Sequence, residues 1–370
     1  MHQVLLHIPL KPFDWLPVWW PDWSLPVYGF GMMLFLAFVA CTWIAAWRAK
    51  REGIPAHFLQ DLAVWIFVGG LVGARLVYMI QAGEMDRYFL SRFFMIWQGG
   101  LVFYGSAIGG FVGYGLAYFF VIRRHGLSTW RLADAIAPAC AVGLLLGRIG
   151  CLLNGCCYGN VACHDCPKIS FPLPSPARYS LVKQGLQTAA GFTLAEKGRA
   201  ATVGIVEPNS PAHAAGLRDG DEIVEADGQT IHSYAELERY LGADWPRGKN
   251  DLSLTVDRGG NRLILNPYFP ETLGLHPTQI YESISMFFLF LLLCAFYPFR
   301  RHAGQVMVLF MVGYSLHRFV NEILRNDTEP VAFGMTLSQN GSIVFLAAAL
   351  VLEIRLWRRM RQGQPDVALS

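Results

Sequence analysis

The 370-residue chain is 54% apolar and only 15% charged, with a mean hydropathy of +0.34, the balance of a protein dissolved in lipid rather than water. That apolar content excludes a disordered chain. A net charge of +3 is too small for a basic footprint, so no nucleic-acid partner is expected. A bilayer core about 30 Å thick needs roughly 20 apolar residues of helix. Seven runs approach that length: 27–47, 62–81, 101–122, 135–153, 280–299, 305–320 and 341–357. The sixth is short, as for a tilted or partly buried helix. The first follows no basic segment with a small-residue cleavage site and reads as a retained span.

Short loops rich in Lys and Arg stay cytoplasmic. Arg48, Lys50 and Arg51 follow the first run, Arg123, Arg124 and Arg131 the third, Arg300 and Arg301 the fifth, and Arg355, Arg358, Arg359 and Arg361 the seventh. This alternation predicts an outer N-terminus and a cytoplasmic C-terminus. Trp15, Trp19, Trp20 and Trp23 read as an interfacial belt on the outer face or as a loosely packed N-terminal loop.

The connection 154–279 then lies outside the membrane, and its charge sets it apart. Residues 178–266 carry 10 basic and 12 acidic side chains, leaving 20 and 15 elsewhere. A short helix closed by Gly216, a Gly220-Asp221 turn and a strand ending in the hairpin signal Asp227-Gly228 are legible there. A second helix, Tyr234–Leu241, and an alternating strand, Leu252–Val256, follow. The segment SPAHAAGLRDGDEIVEADG within 185–266 resembles a bacterial PDZ domain. The resemblance implies a groove between strand and helix that takes an extended peptide as an added strand. Its carboxylate-holding loop is expected at Gly191, Phe192, Thr193 and Leu194; a module that only spaces its neighbours is the alternative.

Charges within apolar runs are costly and usually functional. Arg75, Arg148, Glu282, Arg318 and Glu322 lie near span interiors or ends; internal ion pairing between spans is the plainer reading. With the predicted orientation, Arg148, His276, Glu282, Arg318 and Glu322 fall toward the outer leaflet. Arg318, Glu322 and Arg325, at i, i+4 and i+7, share a helix face. Guanidinium groups on one face of a lipid-embedded site suit an anionic head group, because each offers phosphate a fixed fork of donors.

The motifs Gly147-Arg-Ile-Gly-Cys-Leu-Leu-Asn-Gly-Cys-Cys-Tyr-Gly159, His276-Pro-Thr-Gln-Ile-Tyr-Glu282 and Gly313-Tyr-Ser-Leu-His-Arg-Phe-Val-Asn-Glu-Ile-Leu-Arg325 resemble the prolipoprotein diacylglyceryl transferase family. So do Gly73-Ala-Arg-Leu76 and Gly99-Gly-Leu-Val-Phe-Tyr-Gly105. The resemblance covers about 27–160 and 275–357. It implies an all-α polytopic membrane protein of seven transmembrane helices, in the bacterial plasma (inner) membrane with its active face periplasmic, interrupted by an α/β PDZ-like insert. The expected organisation is 1–160 for the first four helices, 161–184 a cysteine-containing linker, 185–266 the insert, and 267–370 the last three helices. The implied reaction moves diacylglyceryl from phosphatidylglycerol to the lipobox cysteine thiol of a preprolipoprotein, with glycerol phosphate leaving and no cofactor.

Carried over by position, Arg148 and Arg318 hold the phosphate, Glu322 and Tyr314 orient Arg318, and Tyr28, Asn154, Gly159 and His276 fall in the family's motifs. Arg75 and Arg325 join the substrate-binding set. The chain departs from the family at Tyr104, where a histidine is usual, at Cys151, where asparagine is usual, and at Cys156, where a polar residue such as glutamate is usual. Either Tyr104 is tuned, His276 takes the proton, or the substrate differs. A non-catalytic lipid- or peptide-binding scaffold of the same fold is the alternative. An intramembrane protease lacks its zinc motif or serine dyad, since no two of the ten histidines stand at i, i+4, and a thiol oxidoreductase lacks its sequence context.

Five of the eight cysteines, 151, 156, 157, 163 and 166, cluster after the fourth run. In an oxidising compartment Cys163 and Cys166 with Cys156 and Cys157 suit two disulfides. A structural zinc site using His164 and free thiols are the alternatives, and Cys151 is either a nucleophile or a small packing residue. No other metal site is expected.

Overall fold

The computed structural model describes residues 4–9, 24–83, 89–94, 102–163, 165–173, 175–195, 200–242, 244–246, 249–325 and 330–362. Trp15, Trp19, Trp20, Trp23 and His164 lie outside the described residues, as does the side chain of Tyr104. The chain begins with β1 (Val4–Pro9), β2 (Ser24–Tyr28), α1 (Gly29–Arg51), α2 (Ala56–Gln81), α3 (Phe89–Phe94), α4 (Phe103–Ala117), which runs into a π-helical turn (Tyr118–Ile122), and α5 (Thr129–Asn154). The middle holds β3 (Ile169–Ser170), α6 (Pro176–Lys183), β4 (Phe192–Leu194), β5 (Val203–Val206), α7 (Pro211–Ala214), β6 (Glu222–Ala226), β7 (Gln229–Thr230), α8 (Tyr234–Gly242), β8 (Leu254–Arg258), β9 (Asn261–Ile264) and β10 (Gly274–Leu275). It ends with α9 (Thr278–Phe296), α10 (Gln305–Ile323), β11 (Pro330–Ala332), β12 (Met335–Thr336) and α11 (Leu337–Arg361).

Each predicted apolar run coincides with a helix over most of its described length, the first only from Gly29 and the third only from Phe103. Among the described residues, five helices (α1, α2, α5, α9 with the turn after it, and α11) are long and apolar enough to cross a membrane, while Ile108–Ile122 is a shorter apolar stretch and α10 has 19 residues. α2, α5, α10 and α11 overrun their apolar runs, because hydrogen bonding, not hydropathy, ends a helix. At α11 the end is set by a capping box: the Thr336 hydroxyl accepts from Gln339 N and the Gln339 side chain accepts from Thr336 N.

Two compact units divide the chain, one of 1–31, 149–281 and 323–329, the other of 32–148, 282–322 and 330–370. In the helical unit, apolar side chains on the outward faces stay exposed, Trp43 at 69% and Phe111 at 78%, a surface suited to lipid. The inward faces carry small residues. A Cβ added to Gly109 collides with the Gly69 carbonyl oxygen, and one on Gly105 with that of Gly73. α2 and α4 therefore touch backbone to backbone, which no side chain larger than hydrogen allows. Asp134 of α5 is fully buried, yet its carboxylate is satisfied by the N–H groups of Gly304, Val306 and Met307 at 2.8–3.1 Å. It thus caps α10 from another helix.

The other unit contains the charge-rich module. β4 pairs with β5, and β7-β6-β8-β9 form an antiparallel sheet. Asp227 and Gly228 both have positive φ, 52° and 78°, the turn a tight β6–β7 hairpin requires. Inward residues of both sheets and both helices, among them Phe192, Leu217, Ile223, Leu237 and Leu254, form one core. That core also draws in Leu173 and Tyr268, from outside 185–266. Ile169 and Ser170 pair with Leu275 and Gly274, and Leu273 N donates to Gln187 Oε1 at 2.9 Å, so the chain leaves and re-enters this region at one place.

Candidate active site

A transmembrane helix tolerates an ionised side chain only when neighbouring helices supply its counter-charge. In the helical unit α5, α9 and α10 each bring such residues to one point. Arg148 Nε lies 2.9 Å from Glu282 Oε2, and Arg318 Nη1 lies 3.9 Å from the same oxygen. Arg318 Nη2 lies 2.9 Å from Glu322 Oε2, one helical turn along α10. Both carboxylates are buried, Glu282 and Glu322 side chains being 1% and 0% exposed, while the Arg148 and Arg318 side chains keep 16% and 12%.

Neutral side chains complete the frame. Asn321 Nδ2 donates to Glu282 Oε2 at 3.2 Å, and Arg318 Nη2 donates to Ser338 Oγ at 2.8 Å. Thr336 Oγ1 donates to Glu322 Oε1 at 2.9 Å while accepting from Gln339 N. The cap of α11 is therefore coupled through Glu322 to Arg318. Arg318 Nη1 is buried and makes no hydrogen bond. A guanidinium held by two anchors with a further donor unsatisfied is prepared to receive an anionic oxygen.

Of the predicted residues, Arg148, Arg318 and Glu322 thus meet, around Glu282, which the sequence marks as a buried charge but not as the centre of the cluster. Tyr314, one turn before Arg318, stacks on Phe310 at 6.0 Å and meets Phe345 edge-on at 6.5 Å. Arg75 is buried on α2, where Nη2 donates to the Arg92 carbonyl at 2.5 Å and the guanidinium lies 5.3 Å from the Tyr78 ring. Tyr104 falls in the first turn of α4. Asn321, Thr336 and Ser338 escape the sequence reading. The only signal for them is the Thr-x-x-Gln capping pattern at 336–339 and the i, i+3 spacing of Asn321 from Arg318.

The remaining predicted residues belong to the other unit. Gly159 bridges Arg325, and its N–H donates to the His276 carbonyl at 2.9 Å. A Cβ on Gly159 falls 2.7 Å from both His276 Cβ and the Leu324 oxygen, so only glycine fits there. His276 Nδ1 is buried without a hydrogen-bond partner. Asn154 ends α5, and Tyr28 ends β2, 44% exposed.

In the module, Gly191 takes φ +82° and its carbonyl accepts from Glu207 N at 2.9 Å. Phe192, Thr193 and Leu194 form β4, whose strand partner among the described residues is β5. β4 and α8 border a groove of about 880 Å³, to which Arg178 and Tyr179 of α6 also contribute. Burial lowers the Arg178 pKa to about 10.

Cys163 and Cys166 form a disulfide. The expected second bridge from Cys156 and Cys157 is absent, and both remain thiols. Adjacent Cα atoms are about 3.8 Å apart across a trans peptide, below the roughly 4.4–6.8 Å a disulfide spans, and the nearby pair is already bonded to itself. That bond also removes Cys163 and Cys166 from any zinc site with His164.

A model of the prolipoprotein diacylglyceryl transferase family matches residues 17–355. A phosphatidylglycerol–prolipoprotein diacylglyceryl transferase of Rhodopirellula baltica is 32% identical, over 90% of this chain and 73% of its own. One from Chromobacterium violaceum is 26% identical over 92% and 94%, and transferase 2 of Clostridium perfringens 23% over 89% and 91%. A crystal structure of the HtrA3 PDZ domain bound to a phage-derived ligand is 26% identical over 29% of this chain and 90% of that chain, with a TM-score of 0.18.

Proposed function

The chain belongs to the prolipoprotein diacylglyceryl transferase family, and on that premise we propose that it moves diacylglyceryl from phosphatidylglycerol to the lipobox cysteine of a preprolipoprotein. The thiolate sulfur attacks the glycerol carbon bonded to phosphate, a thioether forms, the C–O bond breaks and glycerol phosphate leaves. The barrier falls when positive charge is already in place where the departing phosphate gains negative charge. Arg148 and Arg318 serve that role, with Glu282 and Glu322 holding them. The observation that carries this reading is Arg318: fixed by Glu322 and Ser338, with Nη1 buried and lacking an acceptor.

The thiol proton needs an acceptor, for which Tyr104 and His276 are the candidates; the unpartnered Nδ1 of His276 supports the second. Tyr28, Arg75, Asn154, Gly159, Tyr314 and Arg325 belong to the substrate-binding set. Seven spans with the N-terminus outside, in the bacterial inner membrane, put this chemistry on the periplasmic face. The charge alternation of the loops supports that orientation. In the periplasm the PDZ-like module, whose strand β4 and helix α8 border the groove, takes an extended peptide of a preprolipoprotein or partner as an added strand.

The test uses purified protein with phosphatidylglycerol vesicles and a lipobox peptide. The peptide mass is expected to rise by one diacylglyceryl group, and Arg148→Ala or Arg318→Ala to abolish the gain. No gain under conditions where another family member reacts overturns the reading in favour of a scaffold. His276→Ala and Tyr104→Phe are expected to differ in effect; if both leave the rate unchanged, neither is the proton acceptor.

A further inference from the structure

After α5 the chain gathers three thiols at one point. The sulfur atoms of Cys151, Cys156 and Cys157 lie within 4.8 Å of one another, all partly buried. Cys151 sits in the last turn of α5, and the chain then doubles back, so that Cys156 N donates to the Cys151 carbonyl at 3.1 Å and Cys156 Sγ to the same oxygen at 3.7 Å. Cys157 takes φ +60°, a left-handed conformation that costs a residue with a Cβ roughly 1–2 kcal/mol. Two buried side chains of α9 hold the loop in that shape. Gln279 Nε2 donates to the Cys156 carbonyl at 2.7 Å and Thr278 Oγ1 to the Cys157 carbonyl at 2.8 Å. A strained cysteine, clamped so that its sulfur faces two others, is a feature that packing alone does not require.

We propose that Cys151, Cys156 and Cys157 form a trithiolate site for a soft d10 metal ion, Cu(I) or Zn(II). Three sulfurs bonded at about 2.3 Å to one ion stand roughly 4 Å apart, so a shift of under an ångström closes the site. Thiolates select Cu(I) and Zn(II) over harder ions. Three sulfurs complete a trigonal Cu(I) site, whereas Zn(II) keeps a fourth position for water. Each thiol gives up its proton as its metal–sulfur bond forms, so affinity rises with pH. Cys163 and Cys166, bonded to each other, take no part. The site stands apart from the transferase reading, since binding is measured without either substrate.

The test is an anaerobic titration of the full-length protein in detergent with Cd(II), Zn(II) and Cu(I). Cd(II) is expected to bind one per chain with a sulfur-to-metal charge-transfer band of three-thiolate intensity. Competition with chelators of known affinity then separates Zn(II) from Cu(I). Cys151→Ser and Cys156→Ser are expected to cut the band by about a third and to weaken binding at least about tenfold, the lower end of what loss of even a supporting group produces. Cys157→Gly removes the third sulfur while suiting the left-handed backbone, so the same loss there does not come from misfolding. The double variant Cys163→Ser/Cys166→Ser is expected to keep the full band. Absence of the band in the wild-type chain overturns the proposal, as does a band that survives Cys151→Ser or Cys157→Gly at full intensity.

Discussion

In the proposed site Arg318 is the side chain to test first, because the planar guanidinium satisfies Glu322 and Ser338 from one end and leaves Nη1 without a hydrogen bond. A lysine keeps the charge but not the fork. Arg318→Lys is therefore expected to leave the protein folded and to lower the transfer rate about 10²–10³-fold, the loss typical of one preorganised donor, as measured by peptide mass over time. Thr336→Val removes the hydroxyl bond to Glu322 Oε1 and a helix cap, with an expected stability cost of about 1 kcal/mol; a smaller loss of rate than in Arg318→Lys identifies Thr336 as a positioning residue. In the module, Asp221 accepts both Arg258 Nε and Nη2 at 2.7 Å and Arg218 N at 2.9 Å. Burial raises its pKa, but the Arg258 and Arg218 bonds outweigh it, so the net value falls below the ordinary 3.8. A depressed carboxylate pKa stabilises the fold above the unfolded value, and that contribution disappears as the pH falls through the folded value. Asp221→Asn is expected to cost roughly 1.5–3 kcal/mol at pH 7. In hydrogen exchange of 203–226, the difference between the two proteins should vanish in strong acid; a difference unchanged down to pH 2 contradicts this account.

Among the elements, α2 and α4 show how close packing without a hydrophobic driving force is achieved in lipid. Gly109→Ala drives a methyl group into the Gly69 carbonyl, whereas a Cβ on Gly115 of the same helix has nothing within 4 Å. The first is expected to lower thermal stability in detergent by at least the 1–3 kcal/mol or so of overpacking, the second to leave it unchanged. Equal melting temperatures exclude this contact as a source of stability. α10 illustrates the converse case: its N-terminus is capped by Asp134 of α5, a partner 170 residues away in sequence, so no local pattern at 301–305 announces where the helix starts.

For the molecule as a whole, the insertion point decides how independent the module is. Gln187 and Leu273 are hydrogen-bonded, and β3 pairs with β10 just outside them. Closing so short a gap costs little chain entropy. Replacing 188–271 by a short Gly/Ser linker is expected to leave transfer to a short lipobox peptide intact while reducing transfer to a full preprolipoprotein. Loss of both reactions assigns the module a structural role instead.

Composition and period determined much of this: a mostly helical chain with apolar helices long enough to cross a membrane, a charge-rich α/β stretch between them, its hairpin at Asp227-Gly228, and the few charges that lipid would not tolerate unpaired. Those signals are local, since hydropathy, turn chemistry and the cost of an isolated charge are properties of a residue and its chain neighbours. Only the tertiary structure decided which charges meet. It set Glu282 between Arg148 and Arg318, tied Thr336 and Ser338 into the cluster, and gave Asp134 to α10. It also turned Cys156 and Cys157 toward Cys151 instead of toward a second disulfide. Each of these depends on groups brought together by helix packing from distant parts of the chain, and the burial that makes an ion pair or a hydrogen bond decisive does not exist until the helices have packed.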